Sequence, residues 1–323
     1  MRNLESLDVS YNTLNGPIPR TLGSLAKLRS LIFRMNKING SIPLEIGNLT
    51  NLKDLDLCSN ILVGSIPSTM GLLPNLISLV LCENHIHGSI PLKIENLTNL
   101  EHLDLGSNIL VGSIPSTMSL LFNLIYVDLS VNQINGPIPL KIGNLTKLQY
   151  LNLDDNKIIG SIPFSLANLR NLTTLHLSEN QINGSIPLEI QNLTKLEELY
   201  LYSNNISGSI PTTIGRLTSL RFLFLSYNQI NGPIPLEMQN LINLEELYLS
   251  SNNISGSIPT VMGSLRKLNL SRNQMNGPIS SSLKNCNNLT FLDLSCNNLS
   301  EEIPYNLYHL TSLQKVNFSY NNL

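Results

Sequence analysis

The sequence predicts an α/β repeat solenoid, a chain wound into stacked coils that each contribute one short parallel strand. Three observations carry this expectation. Asparagine stands at Asn12, Asn36 and Asn60, recurs every 24 residues to Asn252, and continues at Asn273, Asn297 and Asn321. Around each one runs the frame L-x-x-L-x-L-x-x-N-x-[LI]-x-G-x-I-P, as in Leu28, Leu31, Phe33, Asn36, Ile38, Gly40, Ile42 and Pro43. The segment ILVGSIPSTM stands at residues 61–70 and again, letter for letter, at 109–118, two periods later.

Each place in the frame has a physical reading. The residues five and three before the Asn, such as Leu55 and Leu57 or Leu103 and Leu105, alternate with polar neighbours, which is the period of a strand with one buried face. The Asn amide carries both donor and acceptor, so it can satisfy backbone groups of its own turn and of the adjoining coil. The Gly permits a backbone conformation that a Cβ would oppose, and the Ile-Pro pair anchors an extended return segment. A single coil cannot bury its leucines; stacked coils can. From Asn252 to Asn273 the period shortens to 21, because Leu265 replaces two leucines that elsewhere stand three apart. That shortening is expected to leave the strand register of Leu268 and Leu270 intact.

This frame resembles the plant-specific class of leucine-rich repeats, and the resemblance covers residues 1–323. It implies a right-handed superhelix with a parallel sheet on the concave face and short extended, 3-10 or helical segments on the return. About 13–14 coils then form one solenoid. Proteins of this class are mostly ectodomains of receptor-like kinases and receptor-like proteins on the extracellular face of the plasma membrane. Met1 falls in the column of Leu25 and Leu49, and cysteine-bearing caps are lacking, so the expectation is a fragment of such an ectodomain. The coils after Pro43, Pro91 and Pro139 alternate with those after Pro67 and Pro115, a pattern left by tandem duplication of a two-coil unit.

Composition narrows the function. A net charge of −2 offers no electrostatic reason for nucleic acid or an anionic membrane as partner. No apolar run approaches the length of a membrane span. The sequence motifs of zinc peptidases, α/β hydrolases, P-loop enzymes and dinucleotide-binding enzymes are absent, so no cofactor or catalytic residue is expected. His85 and His87 lack Cys or carboxylate partners for a metal, and Asp54 with Asp56, like Asp154 with Asp155, reads as solvated carboxylates. Cys286 reads as a small buried hydrophobe. Cys58 and Cys82 share a column on adjacent coils, so a bridge is conceivable, but cross-strand geometry often forbids one and two thiols are the expectation.

Two surfaces stand out. The N-L-T sequons at Asn48, Asn96, Asn144 and Asn192 fall on every second coil, about 10 Å apart for coils about 4.8 Å apart, and would form a glycan coat away from the strands. On the strand face, the residues six, four, two and one before each ladder Asn should point outward or border the sheet. Aromatics concentrate in those columns, six of them between residues 200 and 248. Tyr150, His176, Glu198, Tyr200, Tyr202, Phe222, Phe224, Tyr227, Glu246 and Tyr248 therefore form the candidate ligand-binding set, with Glu198 and Glu246 favouring a basic partner. The R-x-R pair that peptide-binding relatives carry for a terminal carboxylate is missing. The resemblance implies a peptide or protein ligand on the concave face and a leucine-rich-repeat kinase as co-receptor, without direct membrane insertion by this segment. The alternatives are a soluble extracellular inhibitor of a secreted cell-wall-degrading enzyme and a non-functional receptor fragment.

Overall fold

The computed structural model describes residues 3–258 and 264–323. The chain divides into two compact units, Met1–Ile159 and Gly160–Leu323, built from the same coil. In the first unit the strands Ser6–Asp8, Ser30–Ile32, Asp54–Asp56, Ser78–Val80, His102–Asp104, Tyr126–Asp128 and Tyr150–Asn152 pair in chain order, all parallel. In the second, Thr174–His176, Glu198–Tyr200, Phe222–Phe224, Glu246–Tyr248, Lys267–Asn269, Phe291–Asp293 and Lys315–Asn317 do the same. Each strand has three residues because only the middle one is committed inward. Leu31, Leu55, Leu79, Leu103, Leu151, Leu175, Leu199 and Leu223 are all buried at this central place.

The return path closes each coil. After the Ile-Pro pair, Pro43 is extended (φ −69°, ψ 144°) and its carbonyl accepts from the Ile46 N–H at 3.1 Å, opening the five-residue 3-10 helix Leu44–Asn48. Leu49 leaves helical space at ψ 58° and ends it, with its side chain fully buried. Proline suits that entry because its φ is pre-set and its missing N–H is not needed there. A second set of short strands runs beside the first turn of the return, for example Ile109–Ser113 paired with Gln133–Pro137, where the sequence had implied only extended chain.

The ladder asparagine bonds as its amide chemistry requires. Asn156 Oδ1 accepts from the Ile134 N–H of the preceding coil at 2.9 Å, and its Nδ2 donates to the carbonyls of Leu129, Leu153 and Asp154 at 3.0, 3.2 and 3.1 Å. One side chain thus satisfies four backbone groups in two coils. A second side-chain ladder, invisible in the leucine frame, runs along the return: Asn51, Asn75, Asn99 and Asn123 each donate to the backbone carbonyl 25 residues earlier.

The residue just before each ladder Asn is held in the left-handed region, from Tyr11 through Val131 and Tyr227 to Tyr320, with φ between 51° and 58°. No glycine stands in this column, so residue type does not signal it. The turn aims successive N–H groups at the following coil, as when Val131 and Asn132 donate to Asp154 and Asp155 carbonyls at 2.9 and 3.0 Å. The frame's glycines also have positive φ, as expected, for example +71° at Gly40; Glu301 occupies the same place at φ 70° in a coil without the glycine.

Two expectations change. The column two before the ladder is not an open face: Cys58, Ser178, Ser226, Ser250, Ser271 and Ser295 are buried there, packed at the end of the sheet. Cys58 and Cys82 form a disulfide, their Cα atoms 4.6 Å apart, because parallel in-register strands bring this column close enough for bridging. The other cysteine expectation agrees, since Cys286 is buried. In the shortened coil Leu265 is fully buried, and Leu268 pairs in register with Leu247 and Leu292. The shortened return itself, residues 259–263, lies outside the described residues.

Asn156→Ala removes an acceptor and a donor from buried backbone and is expected to lower stability by about 1–3 kcal/mol in urea unfolding. Val131→Gly is expected to raise it by about 0.5–1 kcal/mol, because relief of left-handed strain exceeds the added freedom of the unfolded chain. A destabilised Val131→Gly protein would show that the side chain, not the backbone, matters at this position.

Candidate functional site

In-register parallel strands put equivalent side chains of successive coils side by side, and this repetition builds the site. In the second unit the third strand residue supplies His176, Tyr200, Phe224 and Tyr248 in one row. His176 and Tyr200 stack at 4.0 Å with 4° between planes, and Tyr200 and Phe224 at 4.4 Å and 8°. Tyr248 breaks the pattern, meeting Phe224 edge-on at 4.8 Å and 78°. The first strand residue supplies Glu198, Phe222 and Glu246, with Phe222 edge-on to Phe224 at 6.5 Å. Tyr202 borders the row half-buried, and Tyr227 stands out from its left-handed turn, 62% exposed. Tyr202, Phe224, Tyr227 and Tyr248, with Glu246 and Asn269, line a cavity of about 330 Å³.

The carboxylates of this face are engaged. Glu198 Oε2 lies 3.0 Å from His176 Nε2, and Glu246 Oε1 lies 2.9 Å from Lys267 Nζ, a contact that raises the Lys267 pKa. The expectation that Glu246 selects a basic partner is weakened, since its charge already faces Lys267; Glu198 faces His176, which neutralises it only when protonated. Burial raises the Tyr248 hydroxyl pKa, with the charge of Glu246 adding to the shift.

Tyr150 belongs to the first unit and to a different row. There His102, Tyr126 and Tyr150 stack at 4.2 and 4.3 Å, within 8° of parallel. His102 is the residue that sequence reasoning passed over, and Tyr126 was legible as an outward aromatic but stood outside the candidate set; the signal for both was the shared column, 24 residues apart, next to Tyr150. Beside the stack, Asp104 is pushed up to about 6, mainly by burial; the Gly106 N–H at 3.0 Å opposes the shift, while the charges of Asp128 and Asp56 add to it. Burial lowers the His102 pKa against the pull of the same two carboxylates. Among the described residues no group of three His, Cys, Asp or Glu side chains is placed to hold a metal ion.

Asn48, Asn96, Asn144 and Asn192 each form the last residue of a 3-10 helix and are exposed, as are Thr50, Thr98, Thr146 and Thr194 of the same sequons. Asn269 and Asn317 also begin sequons but lie on the sheet, where their Oδ1 atoms accept from the backbone and hydroxyl of Ser271 and Ser319.

This coil defines the class. A family model described as a leucine-rich repeat region matches residues 111–210, a model of two repeat copies matches 74–117 and 218–261, and a single-repeat model matches 3–25, 27–49, 264–286 and 288–310. The chain belongs to the leucine-rich-repeat family. Among solved structures it is similar to PEPR1 in the PEPR1–AtPEP1 complex, at 35% identity and TM-score 0.94 over 98% of this chain and 45% of that one. It is similar to a TDR receptor at 33% identity and TM-score 0.93, over 97% of this chain and 55% of that one. It is also similar to the Arabidopsis receptor kinase HAESA, solved with the peptide hormone IDA and the co-receptor SERK1, at 34% identity and TM-score 0.85, over 98% of this chain and 58% of that one. The chain spans about half the length of these receptor chains. No curated protein matches it.

The raised Asp104 pKa has a direction that can be measured. Relative to the ordinary carboxylate value of 3.8, the folded state holds the extra proton up to about pH 6, so this contribution to stability is complete below about pH 4 and lost as pH rises through 6. Asp104→Asn keeps an acceptor for Gly106 and is expected to stabilise the protein by about 1 kcal/mol near pH 7.5, allowing for solvent screening, with no gain near pH 4. Urea unfolding at the two pH values checks it; an equal effect at both would remove the burial argument.

Proposed function

We propose that this chain is the ligand-recognition segment of a plant receptor-like kinase or receptor-like protein ectodomain, binding a peptide on the sheet face of its second unit. The observation that carries the reading is the row His176, Tyr200, Phe224 and Tyr248, flanked by Phe222, Tyr202 and Tyr227. A leucine core does not require aromatic rings on the outer side of its sheet, and contiguous half-buried rings at a surface supply binding energy through the apolar area that a partner covers. The peptide hormone IDA in the HAESA complex supports a peptide as the ligand class, and SERK1 in the same complex supports a co-receptor. The Cys58–Cys82 bridge favours an oxidising compartment, and the four exposed sequons suit a secreted surface. Both support an extracellular location. Among the described residues no helix is long and apolar enough to cross a membrane.

Two measurements test this reading. When a displayed library of short random peptides is selected on the folded protein, Phe224→Ala is expected to weaken the best binder by about 1–3 kcal/mol in calorimetry, and Ser116→Ala, on a 3-10 helix, to leave it unchanged. Equal binding by the wild type and the Phe224 variant would move the site off this face. In protein secreted from plant cells, glycopeptide mapping is expected to find sugar on Asn48, Asn96, Asn144 and Asn192 and none on Asn269; an occupied Asn269 would place a glycan at the proposed ligand surface.

A further inference from the structure

The row of rings on the second unit changes character at one place. His176, Tyr200 and Phe224 lie nearly parallel, 4.0 and 4.4 Å apart, so each covers its neighbour's π-face and presents ring edges outward. The column then ends, because the next strand places Asn269 in register with Tyr248 and no further ring continues the stack. Tyr248 turns 78° from Phe224. The cavity of about 330 Å³ opens at this break, with Tyr202 and Tyr227 as its other aromatic walls.

The carboxylate, the serine hydroxyls and the Asn269 carbonyl oxygen around the cavity already have partners. Lys267 holds the Glu246 carboxylate at 2.9 Å, the Ser250 and Ser226 hydroxyls bond each other at 2.9 Å, and Asn269 Oδ1 accepts from the Ser271 hydroxyl at 2.7 Å. A cationic guest would have to compete with Lys267 for Glu246 and an anionic guest with Glu246 for Lys267, whereas an apolar guest needs only to expel water from aromatic walls. The volume lies at the lower end of small-ligand pockets, which start at roughly 300 Å³, and suits one bulky side chain. A sugar ring needs an uncovered aromatic face to lie against, and the stacked part of the row has its faces occupied.

We infer that this cavity is the anchor subsite for one aliphatic or aromatic side chain of the bound peptide, an inference that rests on the peptide reading above. Tyr227 provides the cleanest variant. It is 62% exposed and its φ is 57°, a conformation that glycine accepts readily, so Tyr227→Gly removes a wall while leaving the fold in place. Tyr248→Ala removes another.

The test uses peptides selected from the random library on the wild-type protein and then synthesised singly. The strongest binders are expected to share one Leu, Ile, Val or Phe position. Replacing that residue by Ala should weaken binding to wild type at least about tenfold, and binding to Tyr227→Gly or Tyr248→Ala less than about threefold, because the lost contact is the same one. Binders sharing a Lys or Arg instead, or the same loss on all three proteins, would overturn the subsite while leaving peptide binding standing. Recovery of no binding peptide would overturn the peptide reading itself and this inference with it.

Discussion

The structure depends on a side chain that joins two coils. Each ladder asparagine accepts from a backbone N–H in the coil before it and donates to three carbonyls, two of them in its own turn. These groups face a leucine interior where water cannot serve them, so the side-chain amide completes bonding that the backbone alone leaves unfinished. It also sets the tolerance of the preceding residue for the left-handed region, a conformation repeated without glycine in coil after coil. The strain stored there, about 1–2 kcal/mol for a residue with a Cβ, is offset because the turn directs two N–H groups to the next coil.

The same register that closes the backbone bonds shapes the recognition surface. Because equivalent positions lie side by side, residue type in a column becomes an interaction between coils. Aromatic residues in one column stack, as His176, Tyr200 and Phe224 do; the carboxylates of Asp56 and Asp128, in the column of Asp104, add to the rise that burial imposes on its pKa. Opposite charges resolve into pairs, as with Glu246 and Lys267. The candidate site is the place where this regularity fails, since Asn269 follows Tyr248 and leaves a ring without its next neighbour.

Much of this was legible in the amino-acid order. The leucine frame located the inward strand positions, the asparagines located the ladder, and the glycines located one set of positive-φ residues. What stayed hidden had no dedicated residue type. The left-handed column holds Tyr, Met, Ser, Glu, Val, Asp, Arg and Cys, so backbone geometry, not side-chain chemistry, defines it. The donations of Asn51 and Asn75 were masked because asparagine also serves the main ladder and the sequons. The aromatic cluster was readable as columns, but the partners of Glu198 and Glu246 were not, because His176 and Lys267 lie on neighbouring strands 22 and 21 residues away. The Cys58–Cys82 bridge turned on a Cα separation that column assignment alone does not supply.

The proposed recognition surface is the sheet face of the second unit and not the 3-10 side, where Phe164 and Leu188 are also exposed. Photo-crosslinking addresses it directly, using a library-selected peptide that carries a benzophenone and mass spectrometry of the joined fragments. Adducts are expected on Tyr202, Tyr227 and Tyr248. Adducts confined to Phe164 or Leu188 would move recognition to the 3-10 side.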